Sequence, residues 1–180
     1  MALIFDYDAD WAWTVQPQGA GLSYFGLIFD HYRALRRAGL SVDILPPDCR
    51  DFAGYALILA PGLMHMPDDL KKALSSCTAQ VLIGPRSAAR DANMAIPVPL
   101  PPAFPKLDVV VARVETLRPD MPVSLKEGGA IVGYLEEIEG TDTVVVQTET
   151  GVPVAMQTGN VTYMGGWGDD EALNALLASL

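Results

Sequence analysis

Short runs of apolar residues alternate along the chain with stretches of helical spacing, a pattern that predicts strands interleaved with helices. Four runs have the length of strands, at residues 2–7, 42–45, 55–60 and 81–83, and the first of them is predicted to be buried. After the first run we expect a loop that carries two tryptophans, and then a helix in which apolar side chains recur from Phe25 to Leu35. Ser23 is the predicted N-cap of that helix and Gly39 its C-terminal stop.

A second helix is predicted over residues 67–76, because Pro67 and two aspartates suit the first turn of a helix. Residues 86–105 form a proline-rich surface crossover, for which a PxxP ligand segment at residues 99–102 is the alternative. Residues 109–164 are predicted to form strands and hairpins, and a final amphipathic helix starts at Asp169. The expected fold is a single α/β domain over residues 1–180, with a three-layer core around a parallel sheet and an antiparallel hairpin extension.

The composition limits the classes of protein to which the chain can belong and the partners that it can bind. With 50% hydrophobic and 19% charged residues, the 180-residue chain has ample material for a folded core. Its formal net charge of −10 argues against nucleic acid and anionic membranes as partners. No apolar run has the length of a transmembrane helix, and the first residues lack the basic start of a secretory signal, so we expect a cytoplasmic protein.

The cysteines and histidines do not indicate a metal centre or a hydrolytic triad. Cys49 and Cys77 are isolated from each other and from any histidine in sequence, so we expect two free thiols, no metal and no cofactor. No GxSxG or GxCxG turn is present, and no histidine follows Ser87. His31 is expected on the polar side of the first helix and His65 in the loop after the third strand, so no base is available for a nucleophile.

The stretch IFDYDADWAWT at residues 4–14 suggests metal or phosphoryl chemistry, because aspartates occupy alternate positions. A calcium loop that starts at Asp6 would need glycine where Trp11 stands and glutamate where Pro17 stands. An apolar strand that ends in DxD also resembles the first motif of haloacid-dehalogenase-type phosphotransferases. In that alternative Asp6 would be the nucleophile and Asp8 the general acid, with magnesium. Lys71 or Lys72 and Gly168-Asp169-Asp170 follow in the order of the later motifs, whereas Asp10 departs from the small residue of the first motif.

Four ordered blocks of sequence resemble the β-galactosidase trimerisation domain, the middle domain of family 42 glycoside hydrolases. They are FDYDADWAW at residues 5–13, HYRALRRAGLSVDILPPD at 31–48, YALILAPGLMHM at 55–66 and GPRSAARDANM at 84–94. The segment GVPVAMQTGNVTYMGGW at 151–167 resembles the closing hairpin and last strand of that domain. The segment after Pro105 matches poorly, and Ala88 stands where the family tends to have glycine.

The resemblance implies a flavodoxin-like fold related to class I glutamine amidotransferases but without their catalytic cysteine. It implies a domain that assembles the parent enzyme as a homotrimer and walls its active-site funnel. The two carboxylates that hydrolyse the β-galactoside would then belong to a preceding (β/α)₈ barrel, so no catalytic residue is predicted here. A free-standing amidotransferase-like domain that binds a small ligand is a further alternative.

The candidate site residues are predicted at the carboxyl ends of the first and fourth strands, the edge at which doubly wound sheets place ligands. They are Asp6, Asp8, Trp11, Trp13, Arg86 and Ser87. One hypothesis is a small site or a subunit contact. In the alternative, Arg86 pairs with an aspartate and the tryptophans only pack a loop. Because tryptophans are enriched as anchors at interfaces, we expect the two tryptophans to meet another subunit or the barrel.

Overall fold

The computed structural model describes residues 1–180, which form four helices and eleven strands. The helices are α1 Tyr7–Val15, α2 Tyr24–Arg37, α3 Asp68–Ser76 and α4 Asp170–Ser179. The first strands are β1 Ala2–Ile4, β2 Asp43–Leu45, β3 Leu57–Ala60, β4 Gln80–Ile83, β5 Val109–Thr116 and β6 Val123–Ser124. The remaining strands are β7 Ala130–Gly140, β8 Thr143–Gln147, β9 Pro153–Thr158, β10 Val161–Met164 and β11 Gly166–Gly168.

Seven strands form the main sheet in the order β2-β1-β3-β4-β10-β9-β8. The first five of these run parallel, whereas β9 and β8 add to the edge in antiparallel fashion. The order of the parallel strands is that of the flavodoxin-type doubly wound sheet. The prediction of an α/β fold with a parallel sheet and an antiparallel extension is therefore confirmed.

The main sheet is covered on both faces. Every residue of β1, β3 and β10 is buried, as expected for central strands that carry continuous apolar runs. The crossovers from β1 to β2 and from β3 to β4 move in opposite directions along the sheet, so right-handed connections place α2 and α3 on opposite faces. Helix α4 packs beside α2, where Asp170 pairs with Arg33 at 2.7 Å and also with Arg37.

A second sheet contains β11, β7 and β5, with β6 paired to β7. The chain passes from β10 in the main sheet to β11 in the second sheet through Gly165 alone, so the two sheets are tied together at this point. Along β7 the residues Ile131, Tyr134, Glu136 and Ile138 are buried. The strand therefore brings a carboxylate into the space between the two sheets.

The loop predicted after the first strand is wrong, because β1 ends at Ile4 and residues Tyr7–Val15 form helix α1. Asp6 is the N-cap, and its side chain accepts a hydrogen bond from the Asp8 N–H at 3.0 Å. Asp8 and Asp10 in the first turn suit the positive end of the helix dipole.

The exposed position predicted for His31 is also wrong, since this side chain is only 1% exposed. The Nδ1 atom of His31 lies 2.8 Å from the carbonyl oxygen of Leu27, one turn earlier in α2. A neutral imidazole that donates from Nδ1 satisfies this carbonyl, and burial lowers the pKa of His31.

Candidate functional site

Helix α1 lies across the carboxyl end of the main sheet, the edge at which doubly wound folds hold ligands. Trp13, on the inner face of α1, is 1% exposed. Its indole Nε1–H donates to the carbonyl oxygen of Gly62 at 2.9 Å, just beyond the end of β3. The carboxyl end of β3 is therefore covered by a side chain of the protein itself.

Arg86 lies in the turn after β4 and is only 2% exposed. Its φ angle of 60° is in the left-handed region, which is uncommon for a residue with a side chain. The guanidinium carbon lies 4.2 Å from the ring centroid of Trp13 and 5.9 Å from that of Tyr134. Nη2 donates to the carbonyl oxygen of Gln16 at 2.7 Å, whereas the buried Nη1 has no hydrogen-bond partner.

The Glu136 carboxylate stabilises the turn at Arg86 by binding its backbone N–H. Its Oε1 accepts from the Arg86 N–H at 3.0 Å and from the Tyr134 hydroxyl at 2.9 Å, and its Oε2 accepts from the Tyr163 hydroxyl at 2.6 Å. Burial raises the pKa of Glu136 above its usual value of 4.5, although these three donors oppose the shift. Burial also lowers the pKa of Arg86.

Ser87 stabilises the same turn, and its hydroxyl has only backbone groups as hydrogen-bond partners. Its hydroxyl accepts from the Gly84 N–H at 2.8 Å and donates to the Ala60 carbonyl at 2.8 Å, and the residue is fully buried. The imidazole of His65 lies against the carbonyl of Arg90 at 3.4 Å instead. The hydroxyl therefore connects the ends of β3 and β4 and is not activated as a nucleophile.

The structure places the six candidate residues at different depths, and Asp6 is half-buried as the N-cap of α1. Trp13, Arg86 and Ser87 come together in the interior, whereas Asp8 and Trp11 are exposed on α1, Trp11 by 67%. No ion pair of the chain includes Arg86, so the alternative in which it pairs with an aspartate is wrong. Glu136, Tyr134 and Tyr163 were not predicted, because nothing in the local sequence marks one buried glutamate on β7.

The phosphotransferase alternative is not supported by the positions of its residues. Asp6 is engaged as the cap of α1, and partial burial raises its pKa. Lys71 pairs with Asp68 on its own helix at 3.4 Å, and Asp169 accepts from the Ala172 N–H at 2.8 Å as the cap of α4. No group of three or more His, Cys, Asp or Glu residues could hold a metal ion. The carboxylates of the opening stretch therefore stabilise a helix start and do not form the DxD site.

The outer side of α1 continues into a second apolar surface. Tyr7, Trp11 and Val15, spaced by four residues along α1, are 72%, 67% and 79% exposed. Tyr7 also borders a groove that is lined by Ile44 of β2 and by Phe25 and Phe29 of α2, whose rings stack with centroids 6.4 Å apart. We call these six residues the apolar face. It differs from the buried core in that no other part of the chain covers it.

None of the helices is long and apolar enough to span a membrane. The proline-rich segment is not free for a PxxP-binding groove, because Pro101 and Pro102 are buried and the Pro101 carbonyl accepts from the Val111 N–H at 2.9 Å.

The fold and site define an α/β domain whose sheet-end crevice is filled by its own side chains. The sequence profile of the β-galactosidase trimerisation domain matches residues 1–180, and the chain belongs to this family. It is 37% identical to the β-galactosidase BgaA of a Thermus species over 186 aligned positions, which cover all of this chain and 28% of that protein. The chain thus spans little more than a quarter of the curated relatives that it matches.

Solved structures of β-galactosidases contain the same fold. The enzyme from the psychrophilic Marinomonas ef1 matches with a TM-score of 0.93 and 32% identity, covering 99% of this chain and 28% of that one. The enzyme from the Antarctic haloarchaeon Halorubrum lacusprofundi matches with a TM-score of 0.90 and 26% identity, covering 99% and 29%. In each of them the matching part is one segment of a larger enzyme.

Proposed function

We propose that this chain is a non-catalytic domain of a β-galactosidase-like glycoside hydrolase, where it associates protomers into a homotrimer and helps to enclose the active site. The hydrolytic carboxylates would then lie in a separate (β/α)₈ barrel. Membership in the trimerisation-domain family and the small fraction of each relative that the chain spans support this assignment. We place the protein in the cytoplasm, where two free thiols such as Cys49 and Cys77 remain reduced.

The contacts in the interior of the site support a non-catalytic role. Ser87 uses its hydroxyl to join two strand ends, and Asp6 uses its carboxylate to cap α1. Trp13 occupies the place over β3 that a substrate would need in a doubly wound enzyme. These side chains, which could otherwise take part in catalysis or ligand binding, therefore stabilise the fold.

The apolar face is the observation that carries the association proposal. Helix α1 buries Ala9 and Trp13 on one side and exposes Tyr7, Trp11 and Val15 on the other. A helix that is apolar on both sides is ordinarily buried on both sides. Contiguous exposed aromatic side chains mark protein interfaces, and tryptophan and tyrosine are the residues that most often anchor them.

A second copy of the protomer is the occupant that we propose for the apolar face. The chain carries a net charge of −10, so two copies repel at long range and must gain their contact energy from uncharged surface. The six side chains of the apolar face are all uncharged and include two stacked phenylalanines. They provide this kind of contact.

Sedimentation equilibrium of the 180-residue chain over a range of concentrations tests the proposal. We expect reversible association of the unmodified chain and a monomer for Trp11→Glu, because a carboxylate buried in an apolar contact is strongly unfavourable. Val98→Glu is the matched control, since Val98 is 94% exposed in the proline-rich segment and lies outside the apolar face. A chain that stays monomeric at all concentrations, or association that survives Trp11→Glu, would overturn the assignment of this face.

A further inference from the structure

A cavity of about 310 Å³ borders the Arg86 turn. Its walls are the Arg86 turn, strand β5, the proline-rich segment and the inner side of β7. Ile96, Leu100 and Val111 supply apolar surface, and Tyr134 also lines the cavity. The volume falls at the lower end of the range of small-molecule sites. None of the residues of the apolar face lines this cavity.

Two guanidinium groups line the cavity without a carboxylate partner. Arg86 is nearly fully buried, and its Nη1 has no hydrogen-bond partner at all. Arg90 donates from Nε to the Gln16 side chain at 3.0 Å and from Nη1 to the Ala89 carbonyl at 2.8 Å. Neither arginine takes part in an ion pair, although acids outnumber bases 22 to 12 in the chain.

Among the other charged residues that line the cavity, the Glu136 carboxylate favours the charge of Arg86, but none of them accepts a hydrogen bond from the guanidinium of Arg86 or Arg90. Arg113 lies at the rim, where it pairs with Glu115 at 3.0 Å and Glu137 at 2.9 Å. Glu136 is committed to the Arg86 N–H and two tyrosine hydroxyls. Arg90 is therefore a half-buried positive charge without a carboxylate partner, and an anion bound beside it in the cavity would lower the cost of that charge.

We propose that this cavity binds a small monocarboxylate, with its carboxylate against Arg90 and beside the charge of Arg86, and its hydrocarbon part against Ile96, Leu100 and Val111. A guanidinium matches a carboxylate in geometry and forms strong charge-assisted hydrogen bonds with it. A single negative charge fits the site better than a dianion, because the Glu136 carboxyl group is close by. The apolar walls favour an organic acid over an inorganic oxyanion.

Calorimetric titration of the 180-residue chain with sodium butyrate tests the proposal. We expect saturable binding with a dissociation constant of about 1 mM, the range for a ligand of so few atoms. Butyramide has nearly the same shape without the charge, and inorganic phosphate has charge without the hydrocarbon part. Both should bind at least about tenfold more weakly if the two guanidiniums recognise a carboxylate.

Two variants and a control locate the site. Arg90→Gln keeps Arg86 and its turn in place and should weaken butyrate binding about tenfold, the loss expected for one charge-assisted hydrogen bond. Ala112→Trp, at an exposed residue of β5 that lines the cavity, should abolish binding by filling the space. Arg118→Gln removes an equal charge at an exposed pair with Asp120, outside the cavity, and should change nothing.

Several outcomes would overturn the carboxylate site. One is the absence of saturable butyrate binding at about ten times the expected dissociation constant of ~1 mM. Others are equal binding of butyrate and butyramide, tighter binding of phosphate, or equal effects of Arg90→Gln and Arg118→Gln. Association of the chain through the apolar face is measured separately by sedimentation, so the two proposals can fail independently.

Discussion

The guanidinium of Arg86 lies over the indole ring of Trp13, with 4.2 Å between the guanidinium carbon and the ring centroid. The contact joins the turn after β4 to helix α1, which follows β1. A cation over the face of a tryptophan is favourable, and more so where water is excluded. Together with the Trp13 hydrogen bond to Gly62, it fixes α1 across the end of the sheet.

Replacing Trp13 should destabilise the fold far more than replacing Trp11 on the same helix. Trp13→Ala removes a fully buried ring, a hydrogen bond and the cation contact, and should lower the free energy of unfolding by about 3–5 kcal/mol. Trp11→Ala removes an exposed ring and should change it by roughly 0.5 kcal/mol or less in the monomer. Urea unfolding followed by circular dichroism measures both. Similar losses for the two variants would contradict the different burial of the two rings.

Gly84, between β4 and Arg86, should not tolerate a side chain. Its φ angle is +86°, and a Cβ atom there would lie 2.3 Å from the Met164 carbonyl oxygen. Gly84→Ala should cost about 1–2 kcal/mol for the backbone conformation and about 1–3 kcal/mol more for the overlap.

Gly54→Ala is the matched control for Gly84→Ala. Gly54 has a similar φ angle of +84° but no atom within 4 Å of the added Cβ. Only the conformational cost of about 1–2 kcal/mol should then remain. Equal urea midpoints for the two variants would show that the contact with Met164 is unimportant.

Glu136 should make the protein less stable as the pH rises. Its pKa is raised in the folded state, so the folded protein holds this proton more tightly than the unfolded chain. Stability is therefore lost as the pH rises from the pKa of Glu136 in the unfolded chain, about 4.5, to its raised pKa in the folded protein. Glu136→Gln removes this loss. The free energy of unfolding of the variant minus that of the unmodified protein should therefore increase from pH ~4 to pH ~7.

Urea titrations at a series of pH values measure the effect of Glu136→Gln. Glu137→Gln is the control, since it removes the neighbouring carboxylate on β7 and leaves the hydrogen bonds of Tyr134 and Tyr163 intact. If both variants show the same trend relative to the unmodified protein, the buried carboxylate of Glu136 is not its origin.

His31 should contribute a pH dependence of the opposite sign. Burial lowers its pKa from 6.5 in the folded state, so the unfolded chain binds this proton more readily. Stability is then fully present above pH ~6.5 and is lost as the pH falls towards the lowered pKa. His31→Gln should reduce the loss between pH ~7 and pH ~5, whereas the half-buried His65→Gln is the control. A loss of stability unchanged in His31→Gln would disprove the assignment.

The elements that could be predicted from sequence are those in which the pattern of apolar residues along one segment shows which residues are buried. Strand β3 and residues 81–83 of β4 are apolar throughout because both faces of a central parallel strand are covered. Helix α2 was predictable from its regular apolar spacing and its Ser23 cap. The ordered blocks that resemble the trimerisation domain also indicated the family correctly.

Helix α1 and the Glu136 cluster could not be predicted in the same way. Apolar residues lie on both sides of α1, so its periodicity is too weak to distinguish it from a loop. Glu136 and Glu137 are adjacent glutamates on one strand, and alternation along a strand sends them to opposite faces. Only the packing of the second sheet against the first buries Glu136.

The sequence by itself determined strand β3, most of strand β4, helix α2 and the family. The tertiary structure decided which tryptophan is buried, why Ser87 and Arg86 stabilise a turn, and where positive charge is left without a partner. The physical reason is that composition and periodicity describe one segment at a time. Burial of Trp13, Arg86 and Glu136 depends on contacts among α1, the turn after β4 and β7, which are far apart along the chain.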